Sequence, residues 1–346
     1  MNGFVEWALG STEFRVQIDR NAYVQWPLSP IWTRISPDLD ARCADLNVWS
    51  GQVRASRPTA TFWLMASLLS PPFDLVSVTV DLSGENGAGP TVGRLTLNRP
   101  AKLNPLSTAM MEEIIAAARW FDTIASLKVV VVAGAGRVFS AGADTGSFGA
   151  GAGDAGVGTG AMPGRDGADT GRRMADAVEA MRAVTVARIQ GWCVGGGLVL
   201  AAACDLRVAS EDTQFSIPEV DLGIPLAWGG IPRLVREIGP ALTKELVMTC
   251  RSFDANEALR GGFLNRVVGA ERLDAEIDSL VATLASKASY ALLSTKRHVN
   301  AVTSQMVGLD RSWMDADTLV AGLRDPEGRA KQVEYLARIA KAKSKS

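Results

Sequence analysis

The sequence is short of histidine, of paired cysteines, of net charge and of long apolar runs, and each shortage removes a class of function. One histidine, His298, in 346 residues leaves no basis for a His-based zinc site or a Ser–His triad. It follows Lys296 and Arg297 on a stretch with helical spacing and reads as exposed. Cys43, Cys193, Cys204 and Cys250 have no metal or redox spacing and read as reduced, mostly buried thiols. Lys+Arg of 36 against Asp+Glu of 37 leaves a net charge of −1. That balance gives no electrostatic case for nucleic acid or for an anionic membrane. The longest early apolar run, Ala60–Leu69, is about half the ~20 residues a membrane span needs. No basic segment with an apolar run and cleavage site opens the chain. A soluble cytoplasmic protein with no metal is expected.

What is present is enough apolar sequence, 47% against 21% charged, to bury a full core in one large domain or two. Residues 1–75 stand apart. They carry Trp7, Trp26, Trp32, Trp49 and Trp63, and Pro27, Pro30, Pro37 and Pro58 interrupt them. They read either as a small added domain or as an extension without a fold of its own. The lack of a sustained helical or strand period favours the second, and Met65 is a plausible alternative start.

From Val76 the pattern is regular. Val76–Leu82 and Val92–Leu97 alternate as strands around a turn rich in Gly, Asn and Pro, which predicts a hairpin. Leu106–Ala125 sets Met111, Ile114, Ile115 and Ala118 on one helical face. Lys128–Ala133 reads as a strand buried on both faces. Gly146–Gly171, dominated by Gly, Ala and Asp, is expected to be a mobile loop, either a tolerated insertion or a flap over a ligand site. Helical segments are expected at Trp228–Ile238 and Ala241–Cys250, split at Gly239-Pro240, then from Ser252. Gly261–Val268 is expected as a short strand, and from Glu271 to the end the pattern is helical with few glycines, including Leu273–Leu284, Tyr290–Val302 and Gln332–Ala340. Strand pair, helix, buried strand, helix, buried strand is an α/β order.

The chain is organised around Gly191–Gly223. An apolar strand at Val186–Ile189 runs into Gly191, then Gly195, Gly196 and Gly197, and then the helix formers Leu198–Ala203. A strand, glycine turn and helix aim unpaired backbone N–H groups at one point, where the helix dipole adds positive character. Such a terminus suits an oxygen that turns anionic during a reaction. Alternatively, the glycines only let strand and helix pack closely. The carboxylate of Glu219, in Ser216-Ile217-Pro218-Glu219, follows the strand-like Leu206–Ser210.

From Val76 onward the sequence resembles the crotonase superfamily, the enoyl-CoA hydratases and isomerases. The motifs occur in family order: Asn98-Arg99-Pro100 with Leu103-Asn104, then Phe139-Ser140-Ala141-Gly142-Ala143-Asp144, then Gly191 with Gly195-Gly196-Gly197 and Ala203-Cys204-Asp205. Next come Phe215 with Pro218-Glu219, Leu222-Gly223 and Gly229-Gly230, and last Gly262–Val268. The resemblance implies an α/β spiral of ββα turns over residues 76–270. It implies a C-terminal helical region, 271–346, that packs subunits into a homotrimer or a dimer of trimers. It implies an acyl-CoA thioester as substrate, with coenzyme A part of the substrate and no separate cofactor. The thioester oxygen is expected on the N–H groups of Ala143 and Gly196, with Gly195 beside them. The CoA adenine is expected against Ala141, Gly142, Asp144 and Thr145. Lys102 either reaches the CoA phosphates or is a plain exposed lysine.

The sequence departs from the family pattern in two places. The hydratases carry two glutamates, and the first falls here on Val199, three residues past Gly196, which cannot transfer a proton. The second matches Glu219, expected to be a general acid/base whose pKa an apolar site raises. A single carboxylate favours moving a double bond over adding water. Hydration stays open if Glu219 acts alone or if Asp154, Asp166 or Asp169 assists, and acyl-CoA binding without turnover stays open as well. The second departure is Leu226 and Trp228, bulky where the family is small and expected to narrow the acyl pocket.

Overall fold

The structure, a computed structural model, describes residues 3–9, 12–18, 71–81, 91–144, 164–312 and 314–343. The chain divides into two compact units, Met1–Ala66 and Ser67–Ser346. In the first, β1 (Gly3–Leu9) and β2 (Thr12–Ile18) pair antiparallel from Gly3 opposite Ile18 to Leu9 opposite Thr12. The expectation of no strand period therefore fails over these residues. The alternation Val5, Trp7, Leu9 and Phe14, Val16, Ile18 is a strand period, and the register sets Trp7 opposite Phe14. It is short and easily lost beside the proline-broken sequence that follows.

In the second unit, β3 (Val76–Asp81) and β4 (Val92–Leu97) form the expected antiparallel pair, and the turn between them lies outside the described residues. β5 (Val129–Gly134) and β6 (Val184–Ile189) add in parallel beside β4. β7 (Trp192–Val194) turns away. β8 (Leu206–Ser210) rejoins β6 in parallel, β9 (Gln214–Ser216) pairs with β7, β10 (Phe253–Asp254) pairs antiparallel with β9, and β11 (Arg266–Val268) closes on β8. The result is a six-stranded sheet, β11-β8-β6-β5-β4-β3, and a three-stranded sheet, β10-β9-β7.

The helices are α1 (Thr108–Thr123), α2 (Gly164–Ala180), α3 (Gly196–Ala202), α4 (Gly230–Thr249), α5 (Ala255–Arg260), α6 (Leu273–Ala285), α7 (Ser289–Met306), α8 (Asp315–Arg324) and α9 (Pro326–Lys343). The Ser107 hydroxyl caps α1 by accepting the Met110 N–H at 3.3 Å. Met110, Met111, Ile114, Ile115 and Ala118 are buried, as the helical spacing requires. The large sheet is covered on both faces. Val129, Val131, Val186 and Val208 meet Leu273, Ile277, Leu280 and Val281 of α6. Val130, Val132, Ala187 and Ile189 point into the main core with α1 and α3. That two-sided burial explains why β5 reads as an unbroken valine run.

Three expectations need adjusting. The stretch drawn as a loop to Gly171 is helical from Gly164, because Arg172 binds Asp169 at 2.7 Å and Asp176 at 2.6 Å along one face while Ala168 and Thr170 are buried. Residues 145–163 lie outside the described residues. The break expected at Gly239-Pro240 is present, with Gly239 at φ 74° and ψ 166°, although the helix resumes across it. Helix α8, ten residues long and containing Gly322, lies inside the stretch that reads as helical from Glu271, where the sequence marks no separate segment.

Candidate active site

The site begins with backbone. β7 leads into Gly195, whose N–H donates to the Ser216 carbonyl of β9 at 2.9 Å, so the turn is pinned to the neighbouring strand. Gly195 takes φ 47°. The N–H groups of Leu198 and Val199 return to its carbonyl at 2.9 and 3.1 Å, starting α3. The Gly196 amide lies ahead of that first turn and has no hydrogen-bond partner among the described residues.

A second amide converges on it. Residues 140–144 run parallel to the chain at Leu106, whose N–H donates to Gly142 at 2.8 Å and whose carbonyl accepts the Asp144 N–H at 3.1 Å. In such a parallel bridge the residue between the two bonds turns its own N–H away from the partner. Ala143 is that residue, and it lines one pocket with Gly196. The segment is held from below. The Ser140 hydroxyl donates to the Asn104 carbonyl at 2.8 Å and accepts the Gly142 N–H at 3.1 Å. The fully buried Asn104 amide donates to the carbonyls of Ala135, Val138 and Phe139.

Glu219 enters the same pocket from the segment after β9. The residue is half-buried, but its Oε2 is sealed from solvent and has no hydrogen-bond partner among the described residues. Its Oε1 lies 2.3 Å from where a Cβ on Gly195 would sit, so only glycine lets the carboxylate lie against this turn. Burial pushes the Glu219 pKa up from 4.5 to about 7. It is the one titratable side chain among the described residues lining the pocket.

Residues 224–228 with Leu319 of α8 form the other side of this pocket, which holds about 30 Å³. Trp228 dominates that wall. It is 5% exposed, and its φ is 61°. Left-handed backbone in a bulky residue costs about 1–3 kcal/mol. A Cβ on Gly196 would lie 2.1 Å from Trp228 Cζ3, and a Cβ on Gly171 of α2 would lie 2.0 Å from Cδ2, so the indole fits only between two glycines. Gly171 itself costs about 1 kcal/mol against alanine in a helix. The turn at Trp228 is clamped. Arg233 Nη1 donates to the carbonyls of Trp228 and Gly229, both at 3.3 Å, and Asp315 accepts the Gly229 N–H at 2.7 Å. Arg233, 2% exposed, is neutralised by Asp176 at 2.8 Å and Glu179 at 2.7 Å.

The structure thus brings Ala143, Gly195, Gly196, Glu219 and Trp228 together. Ala141 and Gly142 lie in the bridging segment, and Asp144 is paired with Arg99 at 3.0 Å. Lys102 is exposed in the turn Pro100–Lys102, outside the pocket lining, and Thr145 lies outside the described residues. Val199 is fully buried against Gly230 in the main core, where the first glutamate would stand. Asp169 is engaged by Arg172, and Asp154 and the side chain of Asp166 lie outside the described residues. Sequence reading missed Gly171, Arg233, Asp315 and Leu319. Three of these sit on helices remote in sequence from the motifs. The signal for Arg233 was its place four residues after Gly229, one helical turn into α4.

A second cavity of about 390 Å³ lies by β3, β4 and α6. Its Arg94 and Asp278 pair with each other at 2.8 Å, and it contains none of the motif residues.

A family model described as enoyl-CoA hydratase/isomerase matches residues 87–321. The chain is 35% identical over 209 residues to the Mycobacterium bovis protein named "Probable enoyl-CoA hydratase echA8", covering 60% of this chain and 77% of that protein. It is 33% identical over 211 residues to the peroxisomal Delta(3,5)-Delta(2,4)-dienoyl-CoA isomerase of Arabidopsis thaliana, covering 60% and 76%. Its fold matches the crystal structure of an enoyl-CoA hydratase from Mycobacterium avium subsp. paratuberculosis K-10, with a TM-score of 0.65, 26% identity, and 76% of this chain covered against 99% of that one. The stacked sheets with their C-terminal helices are therefore the crotonase fold. The chain belongs to the enoyl-CoA hydratase/isomerase family, the crotonase superfamily of enzymes.

Proposed function

We propose that this enzyme moves the double bond of an enoyl-CoA thioester, with Glu219 as its single acid/base. The observation that carries the reading is the Glu219 carboxyl beside Gly195 and Gly196, its Oε2 sealed from solvent and without a partner among the described residues, in a pocket lined by no second titratable side chain among them. In the reaction the thioester oxygen accepts from the Ala143 and Gly196 amides. Glu219 takes a proton from the carbon next to the carbonyl, and the electron pair spreads into a dienolate whose negative oxygen rests on the two amides. The same carboxyl returns the proton two carbons further on, which brings the double bond into conjugation. Two donors preorganised in a dry site lower the energy of that enolate, and removing one such donor commonly costs about 3–4 kcal/mol. A pKa of about 7 suits a group that must both accept and return a proton near neutrality.

Hydration is the second reading, favoured by the relatives named hydratases. It requires one carboxylate to deprotonate water while another group protonates carbon, and the apolar setting of Val199 argues against it. An assay with a β,γ-unsaturated acyl-CoA and its conjugated isomer separates the two. A rise in conjugated-enoyl absorbance without hydration supports isomerisation, fast loss of that absorbance supports hydration, and binding without either moves the protein to a carrier or sensor role.

Coenzyme A enters as part of the substrate, with Ala141–Asp144 and Lys102 as the residues offered to it. The C-terminal helices are read as subunit-packing elements of a trimer or dimer of trimers. Exposed Tyr290 and Met306 of α7 and Val333 of α9 support that reading, and sedimentation of the full chain tests it. Among the described residues no helix is long and apolar enough to cross a membrane, and a cytoplasmic site of action fits.

A further inference from the structure

We infer that Trp228 is the stop that limits the acyl group to a short chain, an inference that rests on the acyl-CoA reading above. The indole is the bulkiest group on the pocket wall and touches the same glycine whose amide is offered to the thioester oxygen. A Cβ on Gly196 would fall 2.1, 2.9 and 3.0 Å from Cζ3, Cε3 and Cη2, so the benzo edge lies directly against that residue. Carbon atoms of the acyl group therefore meet the ring soon after the carbonyl. The remaining wall, residues 224–227 and Leu319, is apolar, so a compact hydrocarbon group fits it and a charged one does not.

The surrounding structure is committed to this placement. The ring's other face needs glycine at 171, where a Cβ would fall within 2.0–2.3 Å of Cγ, Cδ2 and Cε2. Trp228 holds left-handed backbone and leaves its buried indole N–H without a partner among the described residues. Two unfavourable features at one residue persist only where the surroundings over-determine them. Here Arg233 grips the carbonyls of Trp228 and Gly229, and Asp315 grips the following N–H, from two different helices. The ring's shape, held between α2 and α3, is what this arrangement preserves. Leu226, which also lines the pocket, packs against Gly230.

The test is calorimetric binding of saturated butyryl-, hexanoyl- and decanoyl-CoA to the full chain, which needs no turnover. The expected result is butyryl-CoA bound roughly 100-fold or more tighter than decanoyl-CoA, since each methylene a pocket rejects is worth ~10-fold or more. Trp228→Ala should erase most of that difference by gaining on decanoyl-CoA. Trp228→Phe, which keeps a ring and serves if the alanine variant does not fold, should fall between. Equal binding of the short and long chains by the unaltered protein overturns the inference, as does an unchanged preference in a folded variant. If all three thioesters fail to bind, the acyl-CoA reading fails and takes this inference with it. Chain-length selection without any double-bond chemistry would instead sink the isomerase reading and leave Trp228 in its role.

Discussion

The two walls of the pocket are made of different material. One, at Ala141–Ala143 and Gly195–Gly197, presents backbone amides, and its side chains are small or absent. The other, from Glu219 through Trp228 to Leu319, presents side chains. The difference divides the labour. On the function proposed above, backbone amides offer the same two donors whatever acyl group arrives, so the first wall sets what every substrate must have, a carbonyl. Side chains differ in charge and bulk, so on the same proposal the second wall decides which proton moves and how much hydrocarbon fits. In this chain the departures at Leu226 and Trp228 fall on the second wall, and the loss at Val199 leaves the amides in place.

The largest effect should come from the side-chain wall. Glu219→Gln keeps shape and removes the proton carrier. Turnover should drop by at least ~100-fold, while acyl-CoA binding measured by calorimetry stays within a few-fold. A variant that turns over normally would take Glu219 out of the mechanism and leave the amide wall without a base.

A smaller effect should follow from crowding the backbone wall. Gly196→Ala retains its N–H but places a methyl 2.1 Å from Trp228 Cζ3. Binding and turnover should both weaken, and Trp228→Phe combined with it should restore part of the loss. A coupling of at least ~1 kcal/mol in that double-mutant cycle is expected for groups in direct contact. Strict additivity would mean that the two walls do not meet at this glycine.

The next effect is a pH dependence. Burial raises the Glu219 pKa from 4.5 to about 7. Between those values the folded protein holds a proton that the unfolded chain has released. The contribution to stability is full below pH 4.5, shrinks as pH rises, and is gone above about 7, a change on the order of 3 kcal/mol at most. Glu219→Gln lacks this titration, so its melting temperature relative to the parent should improve from about pH 5 to about pH 8. Activity should run the other way, with kcat/KM climbing through about pH 7 as the carboxylate forms. A flat stability difference would show that Oε2 is solvated.

How much of this was readable in advance follows from the same division. The backbone wall announces itself in sequence, because close approach demands glycine at 195 and 196 and a strand–helix junction demands apolar runs on either side. Glu219 was readable from its place after Pro218. The hairpin at β3 and β4, the helical face of α1 and the break at Gly239-Pro240 follow from local periodicity and backbone restriction alone. What sequence could not show is which distant residues support Trp228. Gly171 stood inside what read as a low-complexity loop, because its composition hides the Asp169–Arg172–Asp176 pairing that makes it helical. Asp315 and Leu319 belong to a ten-residue helix inside the stretch that reads as helical from Glu271, but its approach to residues 223–225 at Gly322 is a tertiary contact with no local signature.

The smallest effect tests that remote support. Asp315 is half-buried, and its carboxylate accepts the Gly229 N–H at 2.7 Å. Asp315→Ala leaves that amide unpaired just after the left-handed Trp228, which should cost about 1–3 kcal/mol of stability. Asp315→Asn keeps an acceptor and should recover most of it. If the clamp also positions the ring, the alanine variant should loosen the preference for butyryl- over decanoyl-CoA by several-fold, and the asparagine variant should not. A stability loss with chain-length preference intact would assign Asp315 to holding α8 in place and leave the ring's position to Gly171, Gly196 and Arg233. That outcome would move the boundary of the side-chain wall inward, to residues that touch the indole or its own carbonyl.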